Sequence, residues 1–93
     1  MSSGTYADVK LRRERNRRIV DEIRDSTPCA DCGMQYPAYA MDFDHFTGEK
    51  VANVMDLVYR PAGLDTLRAE IDKCVVVCAL CHRYRTYARK QVA

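Results

Sequence analysis

The chain has 93 residues, a formal net charge of +2 and charged side chains at 30% of its positions. A single domain of this length buries only roughly 60–65% of its unfolded surface, so its apolar core needs a staple. The longest apolar run, Cys74 to Cys81, is too short to cross a bilayer, and Met1-Ser2-Ser3-Gly4-Thr5 lacks the apolar core of a signal peptide. The expectation is a cytoplasmic protein with no membrane partner, in which reducing conditions make a metal a better use of five cysteines than disulfides.

The small net charge hides a segregation. Residues 1–24 balance to +3, residues 25–81 to −5 and residues 82–93 to +4. Basic ends around an acidic middle suit a protein that grips phosphates and holds cations beside them. Solvated helix faces explain an isolated basic run equally well.

In chain order, Thr5 followed by Asp8 has the form of a capping box, and nothing interrupts a helix from there to Asp25. Lys10 to Arg18 holds six basic residues against one Glu, and Ile19, Val20 and Ile23 form a stripe that can pack down or meet a second copy. Ser26-Thr27-Pro28 ends this helix, because the residue before a proline is pushed out of helical geometry. Residues 1–26 are thus expected as a basic N-terminal helix and residues 27–93 as a zinc-braced domain.

Cys29-Ala30-Asp31-Cys32-Gly33 reads as a tight turn. From Tyr39 to His45 the chain alternates, with Tyr39, Met41, Phe43 and His45 on one face and Ala40, Asp42 and Asp44 on the other, which predicts a strand. Thr47-Gly48-Glu49-Lys50 is a turn, and residues 51–63 carry no clear period before the Pro61-Ala62-Gly63 break. Leu64, Leu67 and Ile71 suggest a short helix over about residues 65–73. Cys74 to Val77 is strand-like, and from Ala79 to about Gln91 the pattern is helical and basic.

Cys29-x-x-Cys32 and Cys78-x-x-Cys81 are two knuckles separated by 45 residues. Two residues between thiolates let both reach one tetrahedral ion at about 2.3 Å, so the pair predicts a closed, structural Zn²⁺ site. Paired redox motifs are the competing reading. Cys74, beside three valines, reads as a buried apolar residue. The chain has only two histidines. His45 follows Asp44 at a strand end, and His82 follows a knuckle cysteine and opens a basic helix. A zinc ion joining the knuckles can bring Asp44, His45 and His82 together around a second metal.

The order CxxCG, Asp42-Phe43-Asp44-His45, a Gly48-Glu49-Lys50 turn and Cys78-Ala79-Leu80-Cys81-His82-Arg83 resembles the HNH endonucleases. More narrowly, it is similar to their small zinc-containing bacteriophage forms, including the recombination endonuclease VII relatives. The resemblance covers about residues 28–90 and implies an α+β fold, a ββα-metal core braced by zinc. It implies His45 as the general base, and Asp44 and His82 as ligands of a catalytic divalent ion (Mg²⁺, Mn²⁺ or Ni²⁺).

The family's middle Asn falls at Lys73, leaving Asp72 or Asn53 to brace the loop that carries the base. A further helix ligand of some relatives falls at Thr86, which shares a helix face with His82 and is expected to hold a metal-bound water instead. DNA is the implied partner, with Lys50, Arg83, Arg85, Arg12, Arg13, Arg17 and Arg18 as candidate contacts. Lys50 reads equally as a solvated turn lysine. No recognition-helix pattern is present, so weakly sequence-specific or structure-directed cleavage is expected. Homodimers, phage packaging proteins and a bacterial host cytoplasm complete the expectations, and a noncatalytic zinc-ribbon DNA-binding or assembly module is the alternative.

Overall fold

The computed structural model describes residues 5–92; residues 1–4 and 93, which complete the two expected segments, lie outside the described residues. The fold is α+β. Helix α1 (Tyr6–Ser26) is followed by a 3₁₀ turn (Ala38–Ala40), strand β1 (Met41–His45), helices α2 (Asp56–Tyr59) and α3 (Leu64–Ile71), strand β2 (Cys74–Cys78) and helix α4 (Ala79–Val92).

α1 begins where its cap dictates. The Asp8 backbone N–H donates to Thr5 Oγ1 at 3.3 Å while the Thr5 N–H donates to Asp8 Oδ2, a reciprocal box that satisfies two end donors. The helix ends before Pro28, with Thr27 extended. Its apolar stripe is used inside the chain. Val20 is fully buried, Ile19 packs against its cluster and Ile23 against the cluster of Cys29 and Met41, so of the two uses expected for the stripe, packing down is the one seen within the chain.

β1 and β2 form an antiparallel pair in which Met41 faces Cys78, Phe43 faces Val76 and His45 faces Cys74. The ladder is prolonged beyond His45, because the N–H groups of Phe46 and Thr47 both donate to the Lys73 carbonyl, at 2.9 and 3.3 Å. β2 passes into α4 with no intervening residue, Cys78 closing the strand and Ala79 opening the helix. The order β1–β2–α4 is a ββα arrangement, as the resemblance noted above implies.

Two apolar clusters flank β1. One holds Cys29, Met41, Val76, Val77 and Cys78. The other holds Val20, Val54, Val58 and Leu67 and ties α1 to α2 and α3. Phe43 packs against both. Asn16 is buried on α1 and donates to the carbonyls of Leu57 and Ala62, each at 2.9 Å, which anchors the α2 segment to α1. Among the described residues no helix is long and apolar enough to cross a membrane.

Candidate metal centre and adjoining polar cavity

The first knuckle is a loop folded on its own cysteine. The Cys29 N–H donates to the Met34 carbonyl and the Gly33 N–H to the Cys29 carbonyl, both at 2.9 Å. Gly33 adopts φ +76°, the left-handed turn that glycine takes without strain. The Ala30 N–H donates to the Val76 carbonyl at 2.9 Å, which lays the knuckle along β2. The second knuckle spans the β2–α4 junction. The sulfur atoms of Cys29, Cys32, Cys78 and Cys81 all lie within 4.8 Å of one another, a cluster that could hold a structural metal such as zinc.

The electrostatics of the cluster favour a cation. Burial works against a Cys29 thiolate, but backbone N–H groups, led by that of Cys32, outweigh it and bring Cys29 down to about 6. The Cys78 sulfur and then burial push Cys81 up to about 12. Four thiols so close cannot all ionise alone; a divalent ion that binds thiolates relieves that repulsion. Cys74 stays outside the cluster. Its Sγ donates to the Glu70 carbonyl at 3.4 Å, and burial raises its thiol to about 11, in keeping with an inert packing residue.

Beside the cysteines, where His82 directly follows Cys81, a cavity of about 290 Å³ gathers Asp42, Asp44, His45, His82, Lys50 and Arg24. The alternation of β1 puts Asp42 and Asp44 on one face, and both meet His82. Asp42 Oδ2 lies 2.9 Å from His82 Nδ1. A carboxylate only accepts, so Nδ1 carries the proton and Nε2 keeps the lone pair of the neutral ring. His82 Nε2 in turn lies 3.6 Å from Asp44 Oδ1. Ligand atoms each about 2.1 Å from one ion lie about 3.0 Å apart at right angles and about 3.4 Å apart at the tetrahedral angle, so this pair could reach a shared divalent cation after a shift of a few tenths of an ångström, with Asp42 behind the imidazole.

Asp44 is only 4% exposed. Arg89 Nη1 donates to its Oδ1 at 3.1 Å, and Arg89 Nη2 and Arg85 Nη1 donate to its Oδ2 at 2.8 and 2.9 Å. Burial alone would raise this carboxyl; the Arg89 and Arg85 guanidinium groups hold it below the ordinary range. Oδ1 retains an acceptor site beyond the Arg89 contact. Arg85 also clasps Asp31 of the first knuckle, Nε and Nη2 donating at 2.6 and 2.7 Å, so one side chain joins the sulfur cluster to the cavity.

His45 meets an unforeseen partner. Its Nε2 lies 2.7 Å from Oε2 of Glu70, a buried acid on α3. The brace of the following loop is neither Asp72 nor Asn53: Asn53 Nδ2 donates to Asp56, whereas Lys73 supplies its carbonyl to Phe46 and Thr47 and its ammonium to the Glu49 carbonyl at 2.8 Å. Thr86 Oγ1 donates to the His82 carbonyl at 3.1 Å.

The basic candidates divide into two groups. Arg12, Arg18, Lys50 and Arg83 are exposed and make no hydrogen bond or ion pair among the described residues. Arg13 donates to the Tyr59 carbonyl at 3.2–3.3 Å, and Arg17 lies over the Tyr59 ring, 5.6 Å from its centre, while donating to its hydroxyl. These two and Arg85 are already partnered within the chain. Asp42, Glu70, Arg24, Lys73 and Arg89 are the site-lining or site-bonding residues that sequence reasoning missed. Asp42 had a visible signal, sharing the strand face of Asp44; Glu70 sits beside Leu67 and Ile71 on the packed face of α3, where an acid is costly unless paired. The chain matches no family model, and no curated protein or solved structure is significantly similar to it.

Proposed function

We propose that the chain is a metal-dependent DNA endonuclease or nickase of the HNH class, built on a structural zinc bound by Cys29, Cys32, Cys78 and Cys81. The observation that carries this reading is the meeting of Asp44, His45 and His82 in one polar cavity. The donor set fits a divalent cation through Asp44 Oδ1 and His82 Nε2. When bound, that cation supplies Lewis-acid stabilisation of the charge that develops on the leaving oxygen of a phosphodiester.

The remaining steps belong to the chain. His45 accepts a proton from a water, whose oxygen attacks phosphorus in line with the leaving 3′-oxygen. Asp42 keeps His82 in the tautomer that presents a lone pair. Lys50, on the cavity rim, and the exposed Arg12, Arg18 and Arg83 offer sequence-independent contacts to the DNA backbone. Such contacts weaken as salt rises.

A second reading rests on the Arg85 and Arg89 contacts. If Asp44 serves only to pair these guanidinium groups, the chain is a zinc-braced DNA-binding or phage assembly module without catalysis. Plasmid nicking with Mn²⁺ or Mg²⁺ separates the two. The nuclease reading expects cleavage by the wild type and a loss of about 10²-fold or more in His45→Ala. Equal rates in the two proteins, or DNA binding with no cleavage under any divalent ion, would overturn it.

A further inference from the structure

We propose that Glu70 is the positioning residue for His45, holding its ring so that Nδ1 is the nitrogen that takes the proton. The role of that nitrogen rests on the endonuclease reading above; the hold on the ring does not.

Glu70 is 3% exposed and is surrounded by donors. Its Oε2 accepts from the Val51 N–H at 3.1 Å and the Ala52 N–H at 3.5 Å, and its Oε1 from Lys73 Nζ at 3.1 Å. A protonated carboxyl would lose acceptor capacity at a place where backbone amides and an ammonium can only donate. Burial opposes the charge, but Lys73, His45 and the Val51 and Ala52 N–H groups outweigh it and bring Glu70 down to about 2. Facing a carboxylate at 2.7 Å, His45 Nε2 must be the donor. The neutral ring is then protonated at Nε2 and carries its lone pair on Nδ1, which makes no hydrogen bond among the described residues.

The hold is rigid because both ends of the loop after His45 return to the same helix end. Phe46 and Thr47 donate to the Lys73 carbonyl, the Glu49 carbonyl accepts from the Lys73 ammonium, and Val51 and Ala52 donate to Glu70. In the proposed step a water proton passes to Nδ1, the water oxygen forms its bond to phosphorus, and the bond from phosphorus to the leaving oxygen breaks. The leaving oxygen takes a proton from solvent. The imidazolium produced keeps its Nε2–H on Glu70, whose charge offsets the new positive charge.

Two measurements test this on the full chain. Nitrogen-15 NMR of the wild type, without DNA, should show His45 protonated at Nε2, with a slowly exchanging, hydrogen-bonded ring proton that disappears in Glu70→Ala. A ring protonated at Nδ1, or a ring proton unchanged in Glu70→Ala, would overturn the proposal whether or not the protein cleaves DNA. In nicking assays Glu70→Ala should lower kcat roughly 10- to 100-fold with little change in KM. Glu70→Gln, which retains an acceptor, should recover part of the loss. Added to His45→Ala, either substitution should cost nothing further, because Glu70 acts through that ring; independent, additive losses would overturn it. Should Glu70→Ala fail to fold, the wild-type spectrum and the Glu70→Gln protein carry both tests.

Discussion

The two apolar clusters beside β1 are held together by different physics. The cluster of Val20, Val54, Val58 and Leu67 is aliphatic, and burial with the Asn16 anchor ties α1 to α2 and α3. The cluster of Met41, Val76 and Val77 includes Cys29 and Cys78, half of the sulfur site, so its packing and its ion-binding chemistry share side chains. The cavity lies between the two: Val54 and Met55 of the aliphatic side line it, Phe43 touches both clusters, and His82, directly after Cys81, enters it from the sulfur side. The contrast teaches that a short chain can set one wall of a polar cavity with a geometry that an ion can fix and the other with ordinary burial.

Breaking the sulfur site should have the largest effect. Cys78→Ser, or removal of the ion by a chelator, should abolish the cooperative fold of β1, β2 and α4, since zinc binding by such sites is worth on the order of 10 kcal/mol of folding free energy. Near-ultraviolet circular dichroism against zinc content checks this; a chelated protein with intact tertiary signal would place both clusters on the same footing. Truncation in the aliphatic cluster should cost less. Leu67→Ala should lose about 2–5 kcal/mol in urea unfolding while the protein still retains its zinc.

The seam between the halves should be the mildest to disturb. Glu70→Gln replaces charged hydrogen bonds to His45 and Lys73, an effect of about 1.5–3 kcal/mol. Because the folded pKa of Glu70 lies near 2, below its ordinary 4.5, the charge stabilises the fold above pH 4.5. The stability gap between wild type and Glu70→Gln should therefore be full above that pH and close as the pH falls towards 2. A gap that widens on acidification would mean the acid is neutral in the fold.

What could be read beforehand was local. The cap at Thr5, the stop before Pro28, the strand ending at His45 and the paired knuckles each announce themselves within a few residues, and each lies where expected. The strand anticipated from Tyr39 begins only at Met41: Asp25 accepts from the Ala38 N–H at 2.7 Å, and Pro37 opens a 3₁₀ turn in place of the first alternating residues. α2 has four residues, too few to display a period. The hidden part is long-range pairing. Glu70 acquires its place from His45, 25 positions away, and Arg85 from Asp31 and Asp44, 54 and 41 positions away. An arginine in a basic helix looks solvent-facing until its partners are known.

The junction without a spacer between β2 and α4 has a consequence for how the chain can vary in length. One residue added between Cys78 and Ala79 would turn the whole of α4 by about 100° about its axis. Cys81, His82, Arg85 and Arg89 would swing away together from Cys29, Asp42, Asp31 and Asp44. An insertion in a loop, such as the exposed turn around Gly48, lengthens that loop and leaves these partnerships standing. At this one point chain length, rather than residue identity, is the quantity under constraint.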